Sequence, residues 1–216
     1  GPVVRTAAMS LFGALALAAC GNDATSAGER SDRLATLPIA AGSVTTSGIS
    51  AGGYMAVQFH VAHSSLVSGV GVVAAGPYYC AENSLRHALG RCMKGDEPIA
   101  VDELAGLTSE FALAGRIDPI ANLANDRVWI FHGGADPVVA KPVVDALQAY
   151  YELFVNPDGV QRNELADAGH TFPAAAKGLQ DCGKTETPFV GSCGVDGARQ
   201  MLEHLYGSFG ARAAGV

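Results

Sequence analysis

A chain of 216 residues, 49% hydrophobic and 16% charged, has enough apolar material for one buried core and too much for a disordered protein. The formal net charge is -7 and no predicted helix gathers Lys and Arg, so the electrostatic footprint of a nucleic-acid binder is missing. In chain order, residues 1–19 read as a cleavage scar at Gly1 and Pro2 followed by an export signal. Arg5 precedes an apolar run of h-region length, too short for a comfortable membrane span. Residues 20–38, small, polar and unpatterned, read as a tether, and a folded body is expected over residues 39–210 with a tail at 211–216.

Within that body, strand-like and helix-like stretches alternate. A strand near Ser43 to Ser47 leads into a helix from about Gly52 to His63. The apolar run GVGVVAAG, Gly69 to Gly76, has the character of a strand that a parallel sheet buries on both faces. A Cys-bounded insert and a helical region from about Pro98 to Ala114 precede a third strand, Arg127 to Gly133. A helix from after Pro137 to about Phe154, a fourth strand near Val160 to Asp167 and a last helix over Gly197 to Ser208 complete the order. Crossovers of this length between strands imply an α/β fold with a mainly parallel sheet and flanking helices. Ile49 and Met55 are expected in its core.

Leu17-Ala18-Ala19-Cys20 resembles the lipobox of bacterial lipoproteins, which makes Cys20 the expected lipid-anchor site and places the protein outside the cytoplasm. Of the other four cysteines, Cys80 lies close to Cys92 and Cys182 close to Cys193, without the tight spacing zinc requires. Four cysteines allow three connectivities; the local pairing Cys80 to Cys92 and Cys182 to Cys193 closes the shortest loops and is the expected one. Carboxylates and histidines show no ligand spacing, so no metal or other cofactor is expected.

Gly48-Ile49-Ser50-Ala51-Gly52 falls where the first strand meets the first helix, the context of a nucleophile elbow. A serine hydroxyl at neutral pH needs a base, and that base an acid to orient it and stabilise its charge. After the third strand, HGGADPVV puts Asp136 on a loop at the strand's C-terminal end; after the fourth, DAGHTFP puts His170 on another. Ser50, Asp136 and His170 thus follow three separate strands as expected nucleophile, acid and base, with the backbone N–H of Ala51 as an oxyanion donor. Asp167 is the weaker acid candidate, too close in sequence to His170. His60 and His63 read as packed or solvated, His87 and His204 as surface residues, and His132 as a strand-end residue able to hydrogen-bond the acid loop. Tyr78 and Tyr79 are candidates to line an acyl groove.

SGISAGGYMAVQF, GVVAAGPYYC, DPVVAKPVVDALQAYY, AGHTFP and PFVGSCGVDGARQMLEHLYG together resemble, over about Ala41 to Gly210, the catalytic domain of extracellular short-chain poly(3-hydroxybutyrate) depolymerases whose lipase box lies near the N-terminus. The resemblance implies a circularly permuted α/β-hydrolase acting on a polyester of 3-hydroxybutyrate, with Ser50, Asp136 and His170 in the three catalytic roles. In that family a later segment with a His-Gly-Cys motif contributes to the oxyanion hole, and no second donor is evident here. The chain therefore looks like the first half of the domain: a fragment, a truncated frame, or a chain needing a complementary half-domain. Another carboxylic ester hydrolase of feruloyl-esterase type, and a catalytically impaired envelope lipoprotein that binds polymer or protein, are the rival functions.

Overall fold

The computed structural model describes residue 40 and residues 42–208, so residues 1–38 with Cys20 and the tail at 211–216 lie outside the described residues. β1 (Val44–Ile49) turns at Ser50 into α1 (Ala51–Ala62), and β2 (Val67–Val73) follows. Next come α2 (Leu85–Leu89), a single π-helical turn at Gly90–Lys94, α3 (Val101–Leu113) and β3 (Arg127–Gly133). α4 (Lys141–Glu152) and β4 (Val160–Leu165) are followed by the short strands β5 (Phe172–Ala174), β6 (Gln180–Asp181) and β7 (Val190–Ser192), then α5 (Gly197–Tyr206). β1 to β4 form one parallel sheet in that spatial order, and β5, β7 and β6 form a second parallel sheet.

β2 and β3 occupy the sheet centre because their side chains are apolar on both faces: Val70, Val72, Val128, Trp129 and Ile130 are fully buried. Trp129 stacks on Phe131 along one face of β3, centroids 6.1 Å apart. α4 is amphipathic and buries Val143, Val144, Leu147, Tyr150 and Tyr151. α1 is apolar all round. It buries Ala56, Val57, His60 and Val61, whereas Met55 is 67% exposed, which corrects its expected place in the core. A helix without a polar stripe gives no periodicity from which to tell its inward face. Ile49 does pack against the core.

His60 is fully buried, its ring nitrogens 3.0 Å from Tyr151 OH and 3.0 Å from Asp126 Oδ2, so it ties α1 to α4 and to the start of β3. His87 and His204 are half-buried rather than surface residues, and His204 Nε2 donates to the Gly159 carbonyl at 2.8 Å. Both disulfides are local: Cys80 bonds Cys92 across α2, and Cys182 bonds Cys193 between the ends of β6 and β7. α2, the π turn and the second sheet have no counterpart in the sequence reading, since strands of two or three residues show no alternation to detect.

Candidate active site

The turn at Ser50 is strained. Its backbone sits at φ 56°, ψ -124°, a region that costs a non-glycine residue about 1–3 kcal/mol and persists only where surrounding structure imposes it. Here the Ser50 N–H donates to the Val73 carbonyl at 2.9 Å and the Ser50 carbonyl accepts from Tyr54 N–H at 2.9 Å, fixing both sides of the residue. The elbow needs its first glycine: a Cβ on Gly48 would lie 2.3 Å from the backbone of Gly52. The second glycine of the motif is different, because a Cβ on Gly52 meets nothing within 4 Å. Gly52→Ala is therefore expected to raise thermal stability by about 0.5 kcal/mol through helix propensity. Gly48→Ala is expected to cost about 3 kcal/mol or more from overpacking against backbone. Thermal unfolding of the two variants side by side checks the contrast.

Asp136 follows β3. Its Oδ1 accepts the backbone N–H groups of Val138 and Val139 at 2.7 and 2.9 Å, and its Oδ2 accepts His170 Nδ1–H at 2.8 Å. The His170 and Asp136 side chains are 5% and 0% exposed, so the pair is shielded from water. Burial by itself pushes the Asp136 carboxyl up; the hydrogen bond from His170 and those from Val139 and Val138 together outweigh it and hold the carboxyl below the usual carboxylate range. Asp167, the weaker acid candidate, is exposed, and among the described residues it is Asp136 that bonds His170.

The loop carrying His170 lies directly against the end of β3. Gly134 N–H donates to Leu165 O at 2.8 Å and Ala135 N–H to Ala168 O at 2.9 Å. From the other side Thr185 Oγ1 accepts His170 N–H at 2.9 Å, and Gly169 N–H donates to the carbonyl of Cys182 at 2.9 Å. The second disulfide thus closes the segment on which the histidine loop rests. Phe189 stands edge-on to the imidazole, centroids 6.2 Å apart.

Ser50, Asp136 and His170 all follow the C-terminal ends of strands in one parallel sheet, β1, β3 and β4, and so share an edge. Asp136 and His170, the expected acid and base, are directly bonded; among the described residues no hydrogen bond joins Ser50 Oγ to His170. Such contacts are often long without substrate and tighten in the reacting complex. Beside Ser50 opens a cleft of about 530 Å³ whose walls include Ala51, Tyr54, Gln58, Tyr79 and Val139. Ala51 begins α1, so its N–H has no partner one turn earlier and stands at the positive end of the helix dipole.

The chain and its fold have parallels among known proteins. No protein-family model matches the chain. A poly(3-hydroxybutyrate) depolymerase of Delftia acidovorans is 44% identical over 169 residues, 78% of this chain and 34% of that protein. A polyhydroxybutyrate depolymerase of Talaromyces funiculosus is 35% identical over 177 residues, 81% of this chain and 51% of that one. The crystal structure of a PHB depolymerase from Penicillium funiculosum superposes with a TM-score of 0.73 at 31% identity, covering 82% of this chain and 55% of that chain. In sequence and in fold the chain is similar to poly(3-hydroxybutyrate) depolymerases. Its fold is of the α/β-hydrolase type. It spans about a third and about half of the length of the two curated depolymerases it matches.

The two tyrosines expected at the groove part company. Tyr79 lines the cleft, but Tyr78 is only 7% exposed and belongs to the core, a correction to its expected place in the groove. Both lie in a turn beyond the end of β2, where no strand alternation applies, and composition cannot say which one turns inward. Tyr79 is held at φ 56°, with its N–H on Gln58 Oε1 at 3.2 Å, its hydroxyl accepting from Asn83 Nδ2 at 2.8 Å and its ring edge-on to Phe111 at 5.0 Å. Tyr54, Gln58, Val139 and Thr185 were not anticipated at the site. For the first two a signal existed: residues 50, 54 and 58 follow the one-turn spacing that puts them on a single helix face. The Tyr54 hydroxyl donates to Cys92 O, pinning the disulfide-bonded insert to α1, and burial drives its pKa up.

Proposed function

We propose that this chain is a serine esterase that cleaves the ester bonds of poly(3-hydroxybutyrate) or its oligomers through an acyl-enzyme. The observation that carries the reading is the buried Asp136–His170 bond on the sheet edge that also bears the strained Ser50 turn. In this mechanism Ser50 Oγ attacks the ester carbonyl carbon as His170 Nε2 takes its proton. Asp136 holds Nδ1–H and stabilises the imidazolium, and the Ala51 N–H donates to the carbonyl oxygen as it becomes negative. Collapse breaks the C–O bond, and the leaving alkoxide takes the proton from His170. Water, deprotonated by the same imidazole, then attacks the acyl-Ser50 ester and releases the 3-hydroxyacid.

A solved PHB depolymerase structure that superposes on this chain with a TM-score of 0.73 is complexed with an R3HB trimer, which supports an oligoester in the Ser50 cleft, with Tyr79 as an apolar wall. The two disulfides favour an exported protein maturing in an oxidising compartment, and Cys20 is its proposed lipid anchor. A complementary half-domain against β1 belongs to the same reading. β1 is an outer strand among the described residues, and Met55 and Phe59 on the adjoining α1 are 67% and 41% exposed, a surface such a partner covers.

A fluorophosphonate probe, read by mass spectrometry, is expected to modify Ser50 stoichiometrically, and a poly(3-hydroxybutyrate) suspension is expected to clear. A folded sample that stays unlabelled supports the binding lipoprotein instead. Labelling with hydrolysis of feruloyl esters and no release from the polyester supports the other esterase.

A further inference from the structure

We infer that His132 is a positioning residue for the acid–base pair, acting through the backbone of Val139; the inference rests on the esterase reading. His132 is the penultimate residue of β3 and is 1% exposed. Its Nε2 lies 3.0 Å from the Val139 carbonyl oxygen. A carbonyl only accepts, so Nε2 carries the hydrogen and donates it. The N–H of the same Val139 donates to Asp136 Oδ1 at 2.9 Å, and Asp136 Oδ2 receives His170 Nδ1–H at 2.8 Å. One hydrogen-bonded chain therefore runs from the sheet core through a single peptide residue to the carboxylate and on to the imidazole.

The start of the acid loop is held by Gly134 N–H on Leu165 O, Ala135 N–H on Ala168 O and Asp136 N–H on Gly133 O, whereas its far end, at Val139, depends on His132 and on the next residue. Ala140 N–H bonds to Met93 O at 2.8 Å, on the disulfide-bonded insert, and the next segment is already α4. Val139 also lines the Ser50 cleft, so displacing its carbonyl moves the cleft wall as well as the carboxylate. The other nitrogen of His132, Nδ1, is buried without a hydrogen-bonding partner among the described residues. The ionisable neighbours Glu164, paired to His132 across the sheet, and Lys141 on α4 engage each other at 3.2 Å. A leucine here fills the space more simply and leaves no orphaned nitrogen. A histidine whose one satisfied atom points at the acid loop is accounted for by that loop.

The test compares His132→Leu, His132→Gln and the unaltered protein on soluble 3-hydroxybutyrate oligoesters. His132→Leu is expected to lower kcat about 10- to 100-fold, the loss typical of a misplaced catalytic group. The acid limb of its kcat/KM profile is expected to move to lower pH, because a displaced Asp136 stabilises the His170 imidazolium less. His132→Gln, whose Nε2 reaches the same carbonyl, is expected to restore both. Should the leucine variant not fold, 15N NMR of the unaltered protein decides: protonated Nε2 and bare Nδ1 on His132 support the inference, and the opposite tautomer overturns it. A folded leucine variant with an unmoved acid limb, or a loss that glutamine does not repair, overturns it too. If the unaltered protein neither hydrolyses esters nor labels at Ser50, the esterase reading fails, while the tautomer measurement still judges the hydrogen bond.

Discussion

Asp136→Asn is expected to lower kcat for ester hydrolysis by about 10⁴ with little change in fold, the scale set by losing the anion behind a catalytic imidazole. The asparagine fills the same volume and can still accept the N–H groups of Val138 and Val139 through its carbonyl oxygen. Its NH2 group then faces His170 Nδ1, which must become the acceptor, so the ring's hydrogen moves to Nε2. Nε2 is the atom that has to take the Ser50 proton. Ser50→Ala is expected to fall further, by about 10⁶, and to take no fluorophosphonate label. The two variants differ in pH behaviour. In the folded protein the Asp136 carboxyl lies below its ordinary value, so the stability it contributes is present above the unfolded aspartate pKa and is lost as pH falls through the folded one. Acid unfolding of Asp136→Asn is therefore expected to be less steep below about pH 4 than that of Ser50→Ala, which keeps the carboxylate. Steady-state kinetics and denaturation at a series of pH values check both halves. An asparagine variant with near-normal kcat at neutral pH removes Asp136 from the mechanism.

What could be read beforehand divides along a physical line. β3 carries an apolar run long enough to be buried on both faces, and its bounds, Arg127–Gly133, coincide with the sequence expectation. Asp136 and His170 stand out because loop residues of those types after two separate strands have a chemical reason to meet. Their supports do not stand out. Thr185 meets the backbone of His170 only because the segment around Cys182–Cys193 folds back on it, and its strands are too short for any pattern. Gly52 and Gly48 look alike in the motif, yet only Gly48 faces backbone at 2.3 Å. Tyr78 and Tyr79 are chemically identical neighbours whose opposite fates depend on one φ angle of 56°. Local chemistry is legible in a sequence, whereas the direction a side chain takes depends on contacts with residues far along the chain.

A large effect on both folding and activity is expected from a single methyl group at the end of β3. A Cβ on Gly133 would lie 2.3 Å from Gly169 O and 2.4 Å from Ala168 O, both main-chain atoms of the loop that presents His170. Neither oxygen belongs to a flexible side chain that can swing away. Gly133 ends β3, which is anchored on both sides by β2 and β4, so the strand yields less readily than the histidine loop. The loop must lift, and it can lift only by weakening Ala135 N–H to Ala168 O and Gly134 N–H to Leu165 O, the bonds that seat it. Gly133→Ala is accordingly expected to cost about 3 kcal/mol or more and to reduce kcat at least about 100-fold in whatever fraction stays folded, since His170 is carried out of register with Ser50. Gly106→Ala is the matched control: the same methyl on α3 meets nothing within 4 Å, and helix propensity makes it neutral or stabilising. Urea denaturation and active-site titration of the two proteins separate lost folding from lost geometry. A folded Gly133→Ala protein with full activity per titrated serine contradicts the placement of the histidine loop on the end of β3.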